Sequence, residues 1–228
     1  MNTSITDNIL EFHYSVMSDE HHRYLSWGHC YKYFRDHSKL TSEDLIDHGS
    51  LHLAFYLASW GMYRGSTFLL WKDYKIHRYV VNEILNPKYS CFWDLDLDSL
   101  SDAGPEIQLL FSLADAIKKI YRDHIKTVDS IPKQIDVSDT LVTKILLGTM
   151  ACTPAYDRYV IAGLGKRGFK HRRFTQASYR ELLNFYRMNS NTFSGLRLPI
   201  PNSNFCYPPM KLIDMYFWSI GSNSRPDK

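Results

Sequence analysis

The chain has 228 residues, of which 44% are hydrophobic, 14% aromatic and 22% charged, a balance that suits packed globular structure and excludes disorder, collagen and coiled coil. No apolar stretch approaches the roughly 18 uncharged residues of a membrane span, and Met1-Asn2-Thr3-Ser4 has neither the basic start nor the apolar centre of a secretion signal. A cytoplasmic protein with no membrane partner is therefore expected.

The net charge of +3 is unevenly spread: from Arg158 to Arg187 eight Lys/Arg face a single acid, Glu181, and the remainder is slightly acidic. A basic stretch of this kind fits a polyanion, nucleic acid first, and fits a solvated helical face equally well. Cys30, Cys91, Cys152 and Cys206 lie far apart with no C-x-x-C pair, so they read as buried thiols rather than as zinc ligands or a disulfide framework. No cofactor motif is present, and none is expected.

In chain order, Ser18-Asp-Glu opens a helical segment to about His37, and Thr41-Ser-Glu-Asp44 reads as a capping box leading into an apolar helix from Leu45 to Trp60. After the glycine-containing break 60–65, Ser66 is placed to cap a helix carried by Phe68, Leu69, Tyr74, Ile76, Val80 and Ile84 to Asn86-Pro87, with a tight helix-turn-helix pair following. Pro105 starts a helix to about His124, Ser138 caps one from Asp139 to Met150, and Pro154 opens the helix containing Asp157. Thr175 caps a helix to about Met188, and Pro208-Pro209 opens the last, ending near Gly221. Residues 127–137 and 189–204 read as linkers, and Tyr89 to Gly104 as an acidic one carrying Asp94, Asp96, Asp98 and Asp102. No segment alternates as a strand between hairpin turns. The expected architecture is a single all-α domain over 1–228, a bundle of eight or nine helices, with two lobes (1–90 and 105–228) around an acidic linker at 91–104 and a cleft between them.

The segment richest in chemistry is 143–160. Lys144 sits early in an apolar helix whose neighbours bury its stem, and desolvation of that kind prepares an amine nucleophile. Asp157 follows 13 residues later at a helix start, where backbone N–H groups favour an ionised carboxylate. The plain readings are a snorkelling or salt-bridged lysine and an ordinary first-turn acid.

Around these residues the chain resembles the helix-hairpin-helix superfamily of DNA glycosylases. That resemblance implies an all-α, two-lobed enzyme in which Lys144 matches the helix-borne amine and Asp157 the essential acid, with Pro154 to Val160 similar to the connection and the helix after it. It covers about 30 residues. The chain differs in having no Leu-Pro-Gly-Val-Gly hairpin before Lys144, a shorter Lys-to-Asp spacing and no four-cysteine cluster. The activity implied is extrusion of a modified or damaged base from DNA and cleavage of its N-glycosidic bond, in repair or in defence against modified phage DNA, with abasic-site lyase chemistry if Lys144 attacks the sugar. Tyr156, Trp60 and Tyr63 are the expected base pocket. Arg64, Ser66, Arg158, Lys166, Arg167, Lys170, His171, Arg172 and Arg173 are the expected DNA contacts, with Gly163, Gly165 and Gly168 allowing close approach of a strand.

Two other readings compete. One is a non-catalytic all-α nucleic-acid-binding module. The other is a metal-dependent hydrolase using Asp44, His48 and His52, four apart on one helical face, although the intervening Glu of H-E-x-x-H is missing. The last helix reads as a core helix that carries Asp214 only incidentally.

Overall fold

A computed structural model describes residues 4–39, 42–102 and 104–222. Its first element, α1 (Ile5–Met17), has no counterpart among the expected helices; Ser4 and Asp7 form a reciprocal capping box at its start. Ser18 consequently ends α1 rather than opening a helix, and a short 3-10 turn, Arg23–Leu25, leads into α2 (Ser26–His37). In α3 (Glu43–Ser59) the capping oxygen belongs to Ser42, which accepts from the Leu45 N–H; Thr41, like Met1 to Thr3, lies outside the described residues.

The single helix expected over 68–84 is instead two 3-10 turns, Phe68–Trp71 and Tyr74–His77, followed by α4 (Arg78–Ile84). Asp73 explains the break: its side chain accepts from the Lys75 N–H and so starts a new turn. The helix-turn-helix pair expected next is a 3-10 turn, Pro87–Phe92, and an acidic stretch before α5 (Pro105–His124). Within 127–137 a ribbon forms from β1 (Thr127–Val128) and β2 (Ile131–Pro132), antiparallel. Asp129 and Ser130 both adopt positive φ at its turn, the geometry of a two-residue primed hairpin.

The remaining elements are α6 (Asp139–Thr149), α7 (Arg158–Lys166), α8 (Gln176–Met188), α9 (Ser190–Gly195) and α10 (Pro209–Ser222). The fold is all-α, with ten α-helices and only that small ribbon among the described residues. No described helix is long and apolar enough to cross a membrane.

α6 is buried against α2, α3 and α5. Every residue from Leu141 to Tyr156 is buried, as expected of a helix that is apolar all round. The Trp27 indole of α2 donates to the Leu147 carbonyl at 3.0 Å, and Gly148 leaves room for the Tyr56 ring of α3. α7 and α10 touch backbone to backbone: a Cβ at Gly163 would strike the Phe217 carbonyl, and one at Gly221 the Tyr159 carbonyl. Gly163 therefore serves helix packing rather than strand approach. Gly168 takes φ +76 just past the end of α7, a helix-ending glycine, and the bare Gly165 accommodates the Arg172 guanidinium.

Candidate functional site

The connection from α6 to α7 positions the chemistry. It is not the start of a helix at Pro154, as expected, but irregular chain with a bend at Thr153 that ends at Asp157, the N-cap of α7. Four hydrogen bonds hold it. Thr143 Oγ1 accepts from the Tyr156 N–H at 2.9 Å, and Thr140 Oγ1 donates to the Tyr156 carbonyl at 2.9 Å. Tyr179 donates to the Cys152 carbonyl at 2.9 Å, and Asp214 Oδ1 of α10 accepts from the Ala155 N–H at 3.0 Å. Ala151, at φ +49, makes the left-handed turn that redirects the chain out of α6, a conformation tolerated where surrounding bonds enforce it.

This framework brings Lys144 and Asp157 together. Lys144 Nζ donates to Asp157 Oδ2 at 3.0 Å, with side-chain exposures of 4% and 13%. Asp157 Oδ1 accepts from the Tyr159 and Val160 N–H groups at 3.0 and 3.1 Å, so the carboxylate sits at the positive end of α7.

A second pair, which sequence reasoning did not find, lies beside the first. On α10, Lys211 Nζ donates to Asp214 Oδ2 at 2.8 Å, and both side chains are 2% exposed. Burial pushes the Lys211 amine below the usual lysine range, against the opposing pull of Asp214. Asp214 is thus not incidental, since it joins α10 to the connection that carries Asp157. The available signal was two charges three residues apart in the apolar run 210–217; a helix normally hides such a run only when its charges are matched.

Trp60, which ends α3, links the two pairs, with Lys144 Nζ 5.0 Å and Lys211 Nζ 4.9 Å from its ring, distances suited to cation–π attraction. Tyr24 stacks on Trp60 at 4.2 Å. The other two expected pocket rings are engaged elsewhere. Tyr156 is buried to 1% with its hydroxyl 2.8 Å from Ser178 Oγ. The Tyr63 hydroxyl lies 2.9 Å from Nε2 of the buried His77.

Among the expected DNA contacts, Arg158, Lys166, Arg167, Lys170, His171, Arg172 and Arg173 are all exposed, and no carboxylate among the described residues pairs with them. The loop 167–173 is set by Glu181, whose two oxygens accept from the Lys170 and His171 N–H groups at 3.0 and 3.1 Å. The other two cations of the basic stretch turn inward. Arg187 pairs with Asp102, and Arg180 donates to the Asp102 carbonyl, so the acidic linker neutralises one end of the stretch. Arg64 and Ser66 are exposed on the loop after α3, with Arg64 Nε 3.1 Å from Ser66 Oγ.

Asp44 and His48 are exposed on α3, while His52 stacks on Tyr33 at 4.4 Å. Among the described residues no group of three or more His, Cys, Asp or Glu side chains is placed to hold a metal ion. Comparison with known proteins finds no family model, no curated protein and no solved structure that matches the chain.

Proposed function

We propose that this protein is a DNA glycosylase-like enzyme that extrudes a modified base and cleaves its N-glycosidic bond, in repair or in defence against modified phage DNA. The observation that carries this reading is the Lys144–Asp157 pair: a carboxylate held at a helix N-terminus, partly open to solvent, directly before a run of exposed cations. When the C1′–N bond breaks, the base leaves with the electron pair and the sugar becomes cationic. Asp157, already aimed by two backbone N–H groups, would stabilise that cation and take a proton from the attacking water. Lys144 holds the carboxylate in place; deprotonated, it would attack C1′ itself and proceed to a Schiff base. Arg158 and the cations of 166–173 would grip the phosphates.

A second reading, the non-catalytic nucleic-acid-binding module, is favoured by one observation: Asp157 is fully employed as a cap and ion-pair partner. Asp157→Asn separates the two, because asparagine is also a good N-cap. Wild type and variant are incubated with normal, damaged and hypermodified DNAs, then treated with alkali to reveal abasic sites or borohydride to trap a Schiff base. Abasic sites that need Asp157 support the glycosylase. Salt-dependent binding without base release on any substrate supports the module.

A further inference from the structure

The chain also forms a partly open cavity of about 400 Å³, within the roughly 300–1,000 Å³ typical of small-ligand sites. It lies between the loop after α3, the β1–β2 ribbon and the first turn of α6. Its lining includes Leu141, one turn before Lys144 on α6, and Met62, two residues after Trp60. Neither Lys144 nor Asp157 is among its lining residues.

The chemistry of its walls is divided. Arg64, from the loop after α3, and Lys133, from the chain after the ribbon, both line it. Arg64 commits only Nε, to Ser66, and among the described residues neither its terminal nitrogens nor the Lys133 amine meets a carboxylate. The loop that presents Arg64 is held in advance: Thr67 Oγ1 donates to the Met62 carbonyl at 2.7 Å and lies 3.1 Å from the Arg64 carbonyl, and Gly61 supplies the φ +74 that the turn needs. The apolar part is Trp71, 47% exposed, with Val128 of the ribbon. Among the described residues Asp136 is the one carboxylate in the lining, so the charged groups there retain a net positive charge.

We infer that this cavity binds one nucleotide unit, with its phosphate between Arg64 and Lys133 and its base against Trp71. A guanidinium fork and an ammonium suit a phosphate, and an exposed indole suits any base, because every base offers a π-face. The inference deepens the nucleic-acid reading above by naming a subsite for it, but it concerns binding alone. The nucleotide is either free or the neighbour of the reacting unit in a strand.

The test is titration calorimetry of the full chain with deoxyadenosine monophosphate, a five-nucleotide single strand and inorganic phosphate, repeated on Arg64→Ala and Trp71→Ala. The expected result is saturable one-to-one binding of the monophosphate or the strand. Arg64→Ala should weaken it by tenfold or more. Trp71→Ala should weaken the base-bearing ligand by about tenfold while leaving any phosphate binding unchanged. Preference for the monophosphate identifies a free nucleotide, and preference for the strand identifies a substrate neighbour; both support the site. Absence of saturable binding by either, or binding indifferent to Trp71 and no tighter than phosphate, overturns it. Since no base release is read, failure of the glycosylase reading leaves this result standing, and the reverse also holds.

Discussion

The two buried Lys–Asp pairs differ in how they are built. Lys211 and Asp214 come from one helix, three residues apart, and are sealed at 2% exposure each, with Asp214 also accepting from the Ala155 backbone. Lys144 and Asp157 come from α6 and the start of α7, and the Asp157 side chain remains 13% exposed. Both acids are tied to backbone, Asp214 to the Ala155 N–H and Asp157 to those of Tyr159 and Val160, so the two pairs differ in exposure and in the elements they join. The Lys144–Asp157 pair is assembled across a connection, and its carboxylate stands at a helix N-terminus that is followed by the exposed Arg158. A buried charge pair is therefore to be read by what remains open around it, since burial is common to both.

Breaking the sealed pair should have the largest effect on stability. Lys211→Met leaves Asp214 buried without its cation, and removal of one partner from such a pair costs about 3–5 kcal/mol, which urea unfolding would measure. The double variant Lys211→Met/Asp214→Leu should recover a large part of that loss. If the single variant is as stable as wild type, the sealed pair is not structural and the contrast fails.

Next in size is the seam that presses α10 onto α7. Gly163→Ala or Gly221→Ala places a methyl against a facing backbone carbonyl, and overpacking of this kind costs about 1–3 kcal/mol. Thermal unfolding would show it. The sealed pair also has a pH signature. Burial lowers the Lys211 pKa below the ordinary 10.5, so between the two values the unfolded chain binds more protons than the folded one, and stability rises with pH across that window. The slope is at most about 1.4 kcal/mol per pH unit. Subtracting the unfolding profile of the double variant from that of wild type isolates this term; a difference that falls with rising pH in that window would contradict the assignment.

The open pair should be milder in stability and decisive in activity. Asp157→Asn keeps the cap but leaves Lys144 without its counter-charge, at a cost of about 1–3 kcal/mol. At the surface, Arg172→Ala/Arg173→Ala should change stability by no more than about 0.5 kcal/mol. It should also weaken DNA binding across sequences and flatten its dependence on salt by about one unit of slope for each phosphate left without its cation. Binding titrations at several salt concentrations would reveal an unchanged slope if those cations do not touch DNA.

Local signals carry the sequence reading where they are complete. Pro105, Ser138, Thr175 and Pro208-Pro209 each mark a helix start within a residue of the observed one, because cap chemistry acts within one turn. α1 escapes that reading although Ser4 and Asp7 spell its capping box. The break at Asp73 escapes it because apolar spacing over 68–84 suits one helix as well as three short pieces. Lys144 and Asp157 are legible as a pair since a single short connection joins them. Lys211 and Asp214 stand three apart on one helix, but their meeting with Ala155 and Trp60 is out of reach, because it spans most of the chain. The cavity of Arg64 and Lys133 is likewise out of reach, assembled from segments some 70 residues apart in the sequence.

The most direct test of the open pair is the rate of abasic-site formation on modified DNA by wild type and Asp157→Asn, both first shown to be folded by unfolding curves. A loss of about 10²-fold or more in the folded variant is expected, the scale on which removal of a transition-state charge partner acts. Undiminished base release by Asp157→Asn would contradict the account at its centre.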